Sequence, residues 1–462
     1  MKLAKQIDKL FKKLLPNPFT IAVLLTFVSM IAAFFFKWDN SKNFEFQFLE
    51  IISFWEEALW EPSLLVFAMQ MMLMLVLGHV LALTKPINRG IIFMTKFCKT
   101  TSIAAFWVCL FSLIVSLFNW GLGLIFGAIF ARKVAENAKK NNWKIHYPLI
   151  GASGYSGLMV WHGGISGSAP VKVAELGHIK SLMQDIYSSE KIESLPDQLT
   201  FAETVFSPIN IFISASVLIV LPLTVFAIGT KVKTNAFELK NIITKNIPKT
   251  INGAEKLDHS KGLAQILGIG ILSFAFYKAL LNPQSVNLNF INPNFINFSL
   301  FGLSILLHGS FYQFLKAVEN AIKGTSGILI QFPLYFGIMG VMKHSGMIVG
   351  ISDFFVKVSS EQSFPILTFF SAGLVNIFVP SGGGQWAIQG PIIIEASQQL
   401  GVKLGKGIMA FSYGDQITNM LQPFWALPLL GITGLKAREI LPYTISLMIV
   451  GIIIFIVGLL IF

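Results

Sequence analysis

Charge is scarce in this sequence. Asp, Glu, Lys and Arg make up 13% of its 462 residues, against about 25% in soluble globular chains. Water cannot solvate a surface so poor in charge, so a string of soluble domains is excluded. Hydrophobic residues reach 54% and the mean hydropathy is +0.68, which leaves a polytopic membrane protein. Cysteine is nearly absent: Cys98 and Cys109 are the only two, and they belong to no CxxC or Cys/His group. A disulfide framework and a structural zinc site are therefore excluded. Arginine is rare as well. Arg89, Arg132 and Arg438 all stand near the ends of apolar runs, leaving no intramembrane arginine to clamp a dianion. No Walker pattern follows the glycine-rich segments, and Gly164-Ile165-Ser166-Gly167-Ser168 misses the nucleophile-elbow spacing. Nothing in the chain pairs a nucleophile with a base, so it is read as no enzyme and as needing no cofactor.

What is present is an excess of positive charge, +12 overall. In a soluble chain this would suggest nucleic acid; in a membrane chain it first tests topology. Apolar stretches run at 19–36, 63–83, 103–118, 120–131, 147–171, 207–229, 263–281, 295–308, 326–342, 364–379, 386–394, 407–432 and 440–462. Residues 103–131 and 364–394 look like pairs of half-length helices joined by polar or glycine-rich tips, which fits re-entrant hairpins. Nine crossings remain. With the N-terminus cytoplasmic, 25 of the 35 basic residues fall on the cytoplasmic side and 15 of the 23 acidic residues opposite. The positive-inside rule is met loop after loop, and no nucleic-acid partner is needed. The first apolar run has 18 residues and no small-residue cleavage motif after it, so it reads as a retained span. Residues 1–15 before it form a basic amphipathic segment suited to anionic lipid.

The chain also repeats itself. Gln70 and Gln331 are 261 residues apart, Asn119 and Asn376 are 257 apart, and Pro170 and Pro428 are 258 apart. By the crossing count the copies have opposite orientation, an arrangement typical of secondary transporters with a site near mid-membrane. The expected division is a cytoplasmic segment 1–15, repeat one at 16–230, a cytoplasmic linker at 231–262 and repeat two at 263–462.

Polar residues inside the apolar runs carry the chemistry. Gly151 to Gly157 and Trp161-His162-Gly163-Gly164-Ile165-Ser166-Gly167-Ser168-Ala169-Pro170 hold too many glycines for a continuous helix. An unwound segment there would offer bare backbone groups to substrate and ion; the simpler alternative is close helix packing through small residues. Ser381-Gly382-Gly383-Gly384-Gln385-Trp386 precedes a second half-helix, and its amides at a positive dipole end suit a carboxylate. Gln389 falls one turn beyond Gln385 and faces the same cavity. Asp415 is the one acidic residue placed well inside the membrane, a costly position that argues for a proton carrier or cation ligand, with a structural ion pair as the alternative. His162 can carry a proton, donate to a substrate oxygen, or serve only in packing.

These residues also carry a family likeness. Phe378-Val379-Pro380-Ser381-Gly382-Gly383-Gly384-Gln385-Trp386 and Gln422-Pro423-Phe424-Trp425-Ala426-Leu427-Pro428 resemble the short-chain fatty acid transporter family of the ion-transporter superfamily. The likeness extends to Asn119-Trp120-Gly121-Leu122-Gly123, Ser166-Gly167-Ser168 and Gln331-Phe332-Pro333, and is weakest at 172–205 and 231–295. It implies an elevator-type symporter, a homodimer, with hairpin tips closing over the substrate. Three positions depart from the family pattern. Where the family has glycine this chain has His162, where its tip continues with histidine this chain has Gln385, and its usual Glu is Asp415. The first two suggest that the imidazole has moved from one repeat's tip to the other's.

The expectation is an all-α inverted-repeat transporter in a bacterial inner membrane, importing short-chain monocarboxylates such as butyrate or acetoacetate with a coupling cation. Trp161, His162, Gly163, Gly164, Ser166, Ser381, Gly382, Gly383, Gly384, Gln385, Trp386 and Gln389 are the expected substrate residues, with the two tryptophans along the acyl tail. Asn119, Ser156, Asn376, Asp415 and Asn419 are expected to coordinate the ion or take the proton. Oxygen-rich Asn and Ser favour sodium, Asp415 allows either ion, and no resident metal beyond a transported sodium is expected. Transport of dicarboxylates or another organic anion is the alternative, followed by a passive anion channel.

Overall fold

The computed structural model describes residues 18–41, 43–184, 187–234, 239, 253–281 and 293–462. Segment 1–15 and most of the linker 231–262 lie outside these residues. Every regular element among the described residues is helical.

The helices follow one order twice. In the first series α1 (Pro18–Phe36), α2 (Phe44–Leu59), α3 (Pro62–Ala82) and α4 (Lys85–Thr95) lead into a hairpin of α5 (Thr101–Phe118) and α6 (Trp120–Lys140). An interrupted helix follows: α7 (Tyr147–Tyr155), two 3₁₀ turns at Ser156–Met159 and Trp161–Gly163, then α8 (Ser168–Lys172). Short α9 (His178–Leu182) and α10 (Ser189–Glu193) lie in the connection to α11 (Pro208–Lys231). After α12 (Glu255–Asp258) and α13 (Lys261–Phe276), the second series runs α14 (Pro293–His308), α15 (Phe311–Ala321), α16 (Ser326–His344) and α17 (Met347–Lys357). Its hairpin is α18 (Phe364–Phe378) with α19 (Gly382–Gln399). Its interrupted helix is α20 (Leu404–Thr418) with α21 (Pro423–Thr433), and α22 (Ala437–Ile461) closes it.

Among the described residues seven helices are long and apolar enough to cross a membrane, from Phe19–Phe36 to Ala437–Ile461. At about 1.5 Å per residue the shortest of them covers roughly the hydrocarbon core. The hairpin arms are longer than half-length, at 18, 21, 15 and 18 residues. In α6 the helix outlasts the apolar run because Ala131 to Lys140 are good helix formers, and Lys139 and Lys140 complement the dipole in its last turn.

Packing interleaves the two series. α16 lies on α1 and α2, while α3 lies on α14 and α15. α6 packs on α21, and α19 packs on α8. Each hairpin therefore reaches the interrupted helix of the other series. Part of the glycine content serves this packing: a Cβ on Gly127 or Gly154 would strike the other's carbonyl where α6 meets α7. The connection after α8 folds back over the second hairpin. Val173, Ile179, Met183 and Leu199 share an apolar cluster with Trp386, Ile393 and Phe411.

Candidate substrate and ion site

Each hairpin tip is fastened to the break of its own series. At the first tip Asn119 caps α6, its Oδ1 accepting from Leu122 N at 2.9 Å. Trp120 N donates to Ser166 Oγ at 3.0 Å, and Ile165 N donates to Leu117 O at 2.9 Å. At the second tip Ser381 caps α19 by accepting from Gly384 N at 3.2 Å, so Gly382 to Gly384 form the first helical turn. Among the described residues the amides of Gly382 and Gly383 have no acceptor and stand as N-terminal donors. Gln422 Nε2 donates to the carbonyls of Asn376 and Ile377, and Asn376 Nδ2 donates to Thr418 Oγ1 and Asn419 Oδ1, both at 2.9 Å.

The two breaks then meet. His162 N donates to Gln416 Oε1 at 3.0 Å, and Tyr155 OH donates to the carbonyls of Asn419 and Gln422 at 2.8 and 3.1 Å. Asn210 on α11 donates to Gly163 O at 2.8 Å and accepts from Tyr413 OH at 3.1 Å. Gly382 presses on this junction: a Cβ there would lie 2.8 Å from Trp161 Cη2 and 3.0 Å from Ser168 Oγ. Asp415 and His162 are 1% and 0% exposed, with Asp415 Oδ1 3.7 Å from His162 Nδ1. That is ion-pair range and too long for a hydrogen bond. Ala169 N donates to His162 Nε2 at 3.1 Å. A backbone amide can only donate, so the neutral imidazole carries its proton on Nδ1, facing the carboxylate.

Buried polar atoms without hydrogen-bond partners gather here. Among the described residues Trp161 Nε1, His162 Nδ1, Asn376 Oδ1, Asp415 Oδ2 and Asn419 Nδ2 are all of this kind. Each such group costs about 1–3 kcal/mol, and a concentration of them at one junction is what a site for polar ligands requires. Among the described residues Asp415 has no Lys or Arg within ion-pair distance. The His162 imidazole is the one titratable group within ion-pair distance of this carboxyl among the described residues.

Not every expected residue points into this junction. Ser156 donates to Ser153 O at 2.7 Å and to Cys109 Sγ at 3.2 Å. Gln385 donates to Ala372 O and to Gln389 Oε1, and Gln389 donates to Ser371 Oγ, so both glutamines reach back to α18. Trp386 donates its indole N–H to His178 Nε2 at 3.2 Å. Burial holds the pKa of His178 below its ordinary value; Glu175 opposes this to a smaller extent and Lys172 adds to it. Asn210, Gln416, Tyr155 and Gln422 are the junction residues that the sequence does not single out. Their one signal is that they are polar groups within or beside apolar runs, a property many packing residues share.

A family model described as "Short chain fatty acid transporter" matches residues 1–462. A Haemophilus influenzae protein named for short-chain fatty acid transport is 39% identical over 455 residues, covering 97% of this chain and 96% of its own. An Escherichia coli protein of the same designation is 34% identical over 471 residues, covering 100% and 99%. Among solved structures, the antimetabolite efflux pump MtrF of Neisseria gonorrhoeae aligns over 98% of this chain and 97% of its own, with 12% identity and a TM-score of 0.44.

Proposed function

Because the chain belongs to the short-chain fatty acid transporter family, we propose that it imports short-chain monocarboxylates, such as butyrate or acetoacetate, in symport with a cation. The observation that carries this reading is the unpartnered set at the junction. The free amides of Gly382 and Gly383 open the second half-helix, with Gly382 against Trp161 and His162, and supply donors for one carboxylate. The unpaired oxygens of Asn376 and Asp415 supply acceptors for a proton or sodium. Substrate and ion then bind at elements from both series, so that each favours the closed junction the other needs.

The reading extends to inverted repeats at 16–230 and 263–462 that alternate access in an elevator motion. It also includes a bacterial inner membrane, a cytoplasmic N-terminus and a homodimer. The twice-run order of helices and the hairpin tips fastened to the breaks support the repeat and its motion. The charge distribution of the sequence supports the orientation. Uptake of labelled butyrate into proteoliposomes, with sodium and pH gradients imposed separately, tests it. Accumulation above the external concentration under one gradient is expected. Mere equilibration under both would reveal a passive channel.

A further inference from the structure

A cleft of about 190 Å³ runs between the break of the second interrupted helix and the start of α22. Its inner end is formed by Tyr155, Met420 and Gln422, and its walls include Ile21, Leu25 and Leu441. Arg438 lines the outer end. Gln422 is 4% exposed, and its Oε1 has no partner. Among the described residues no acid lies within ion-pair distance of Arg438, and the adjacent Glu439 turns one oxygen back to Lys436 N at 2.7 Å. Arg438 is also the second residue of a 25-residue helix, so its charge stands at the positive end of the dipole.

We propose that this cleft is an antechamber that receives a short monocarboxylate on its way to or from the central junction. The carboxylate lies on the Arg438 guanidinium, which matches it with two parallel donors. The alkyl tail lies along Ile21, Leu25 and Leu441, and the far end of the cleft reaches Met420 and Gln422 of the break. The inference rests on the monocarboxylate reading above and adds a second place for the same ligand. A lipid phosphate offers related chemistry to Arg438, but the cleft's size and its continuity with the break favour the small acid.

The test uses Leu441→Cys in the full-length chain. The native cysteines, Cys98 and Cys109, are both 0% exposed and give little background. In nanodiscs of neutral lipid, butyrate is expected to slow modification of this cysteine by an anionic methanethiosulfonate several-fold. Adding Arg438→Gln is expected to abolish that protection and to raise the half-saturating butyrate in counterflow about tenfold, the loss of one charge-assisted contact. Protection that persists in the Arg438→Gln background overturns the antechamber. So does protection given by phosphatidylglycerol and not by butyrate, which would assign the cleft to lipid. Unprotected labelling with intact counterflow overturns the cleft alone, whereas absence of counterflow overturns the transport reading with it.

Discussion

Gly382→Ala adds one methyl where the second tip meets the first interrupted helix. The new Cβ would stand 2.8 Å from Trp161 Cη2, 3.0 Å from Ser168 Oγ and 3.2 Å from His162 Cε1. Trp161 is only 4% exposed and stacks on His162 at 4.4 Å, so it has nowhere to retreat. Overpacking of this kind costs about 1–3 kcal/mol, offset by at most about 0.5–1 kcal/mol from replacing glycine in a helix. At 1.4 kcal/mol per decade, the closed tip is disfavoured by up to about sixtyfold. Gly383 is the control, because a Cβ there meets nothing within 4 Å. Butyrate counterflow should therefore fall in Gly382→Ala and stay within about twofold of wild type in Gly383→Ala. Equal behaviour of the two variants would refute the docking of the tip on Trp161 and His162.

Asp415→Asn removes the buried carboxylate while keeping its shape; gradient-driven accumulation is expected to fall at least about tenfold while exchange at equal concentrations continues. His162→Gly is expected to lose uptake and His162→Gly/Gln385→His to recover it; if the double variant stays inactive, the idea of a relocated imidazole is wrong. Asn210→Ala leaves the carbonyls of Gly163 and Val205 without their donor, which should lower stability by about 1–3 kcal/mol and reduce the thermal midpoint. For His178, burial depresses the folded-state pKa below 6.5. The unfolded chain then binds more protons in acid, so stability is present above about pH 6.5 and is lost as pH falls through the lower folded value. His178→Gln keeps an acceptor for Trp386 without titrating. Its thermal midpoint should change less than wild type between about pH 7.5 and 5.5.

Much of this arrangement is legible in the sequence. Asn119 and the Ser381-to-Gly384 run mark both hairpin tips because polar and glycine-rich tips interrupt apolar stretches. The break at Gly163–Gly167 follows from glycines that resist continuous helix, whereas the one at Asn419–Gln422 carries no such run and shows only in the fold. Asp415 stands out because charge is so scarce around it. The pairing of Asp415 with His162 is not legible, since 253 residues separate them and only the packing of α20 on the first break joins them. Nor does sequence spacing show that Gln385 and Gln389 turn back to α18, because both faces of α19 carry polar groups. The connection at 172–206 has little regular periodicity, and its role over Trp386 emerges only from the apolar cluster it completes.

Counterflow tests the central claim most directly. Proteoliposomes preloaded with unlabelled butyrate and diluted into labelled butyrate, with no ion gradient, should show transient accumulation of label. Asn376 or Gly382 variants should reduce it, and empty liposomes should lack it. Label that merely equilibrates at the rate of empty liposomes would contradict a butyrate carrier with its site at the meeting of the two breaks.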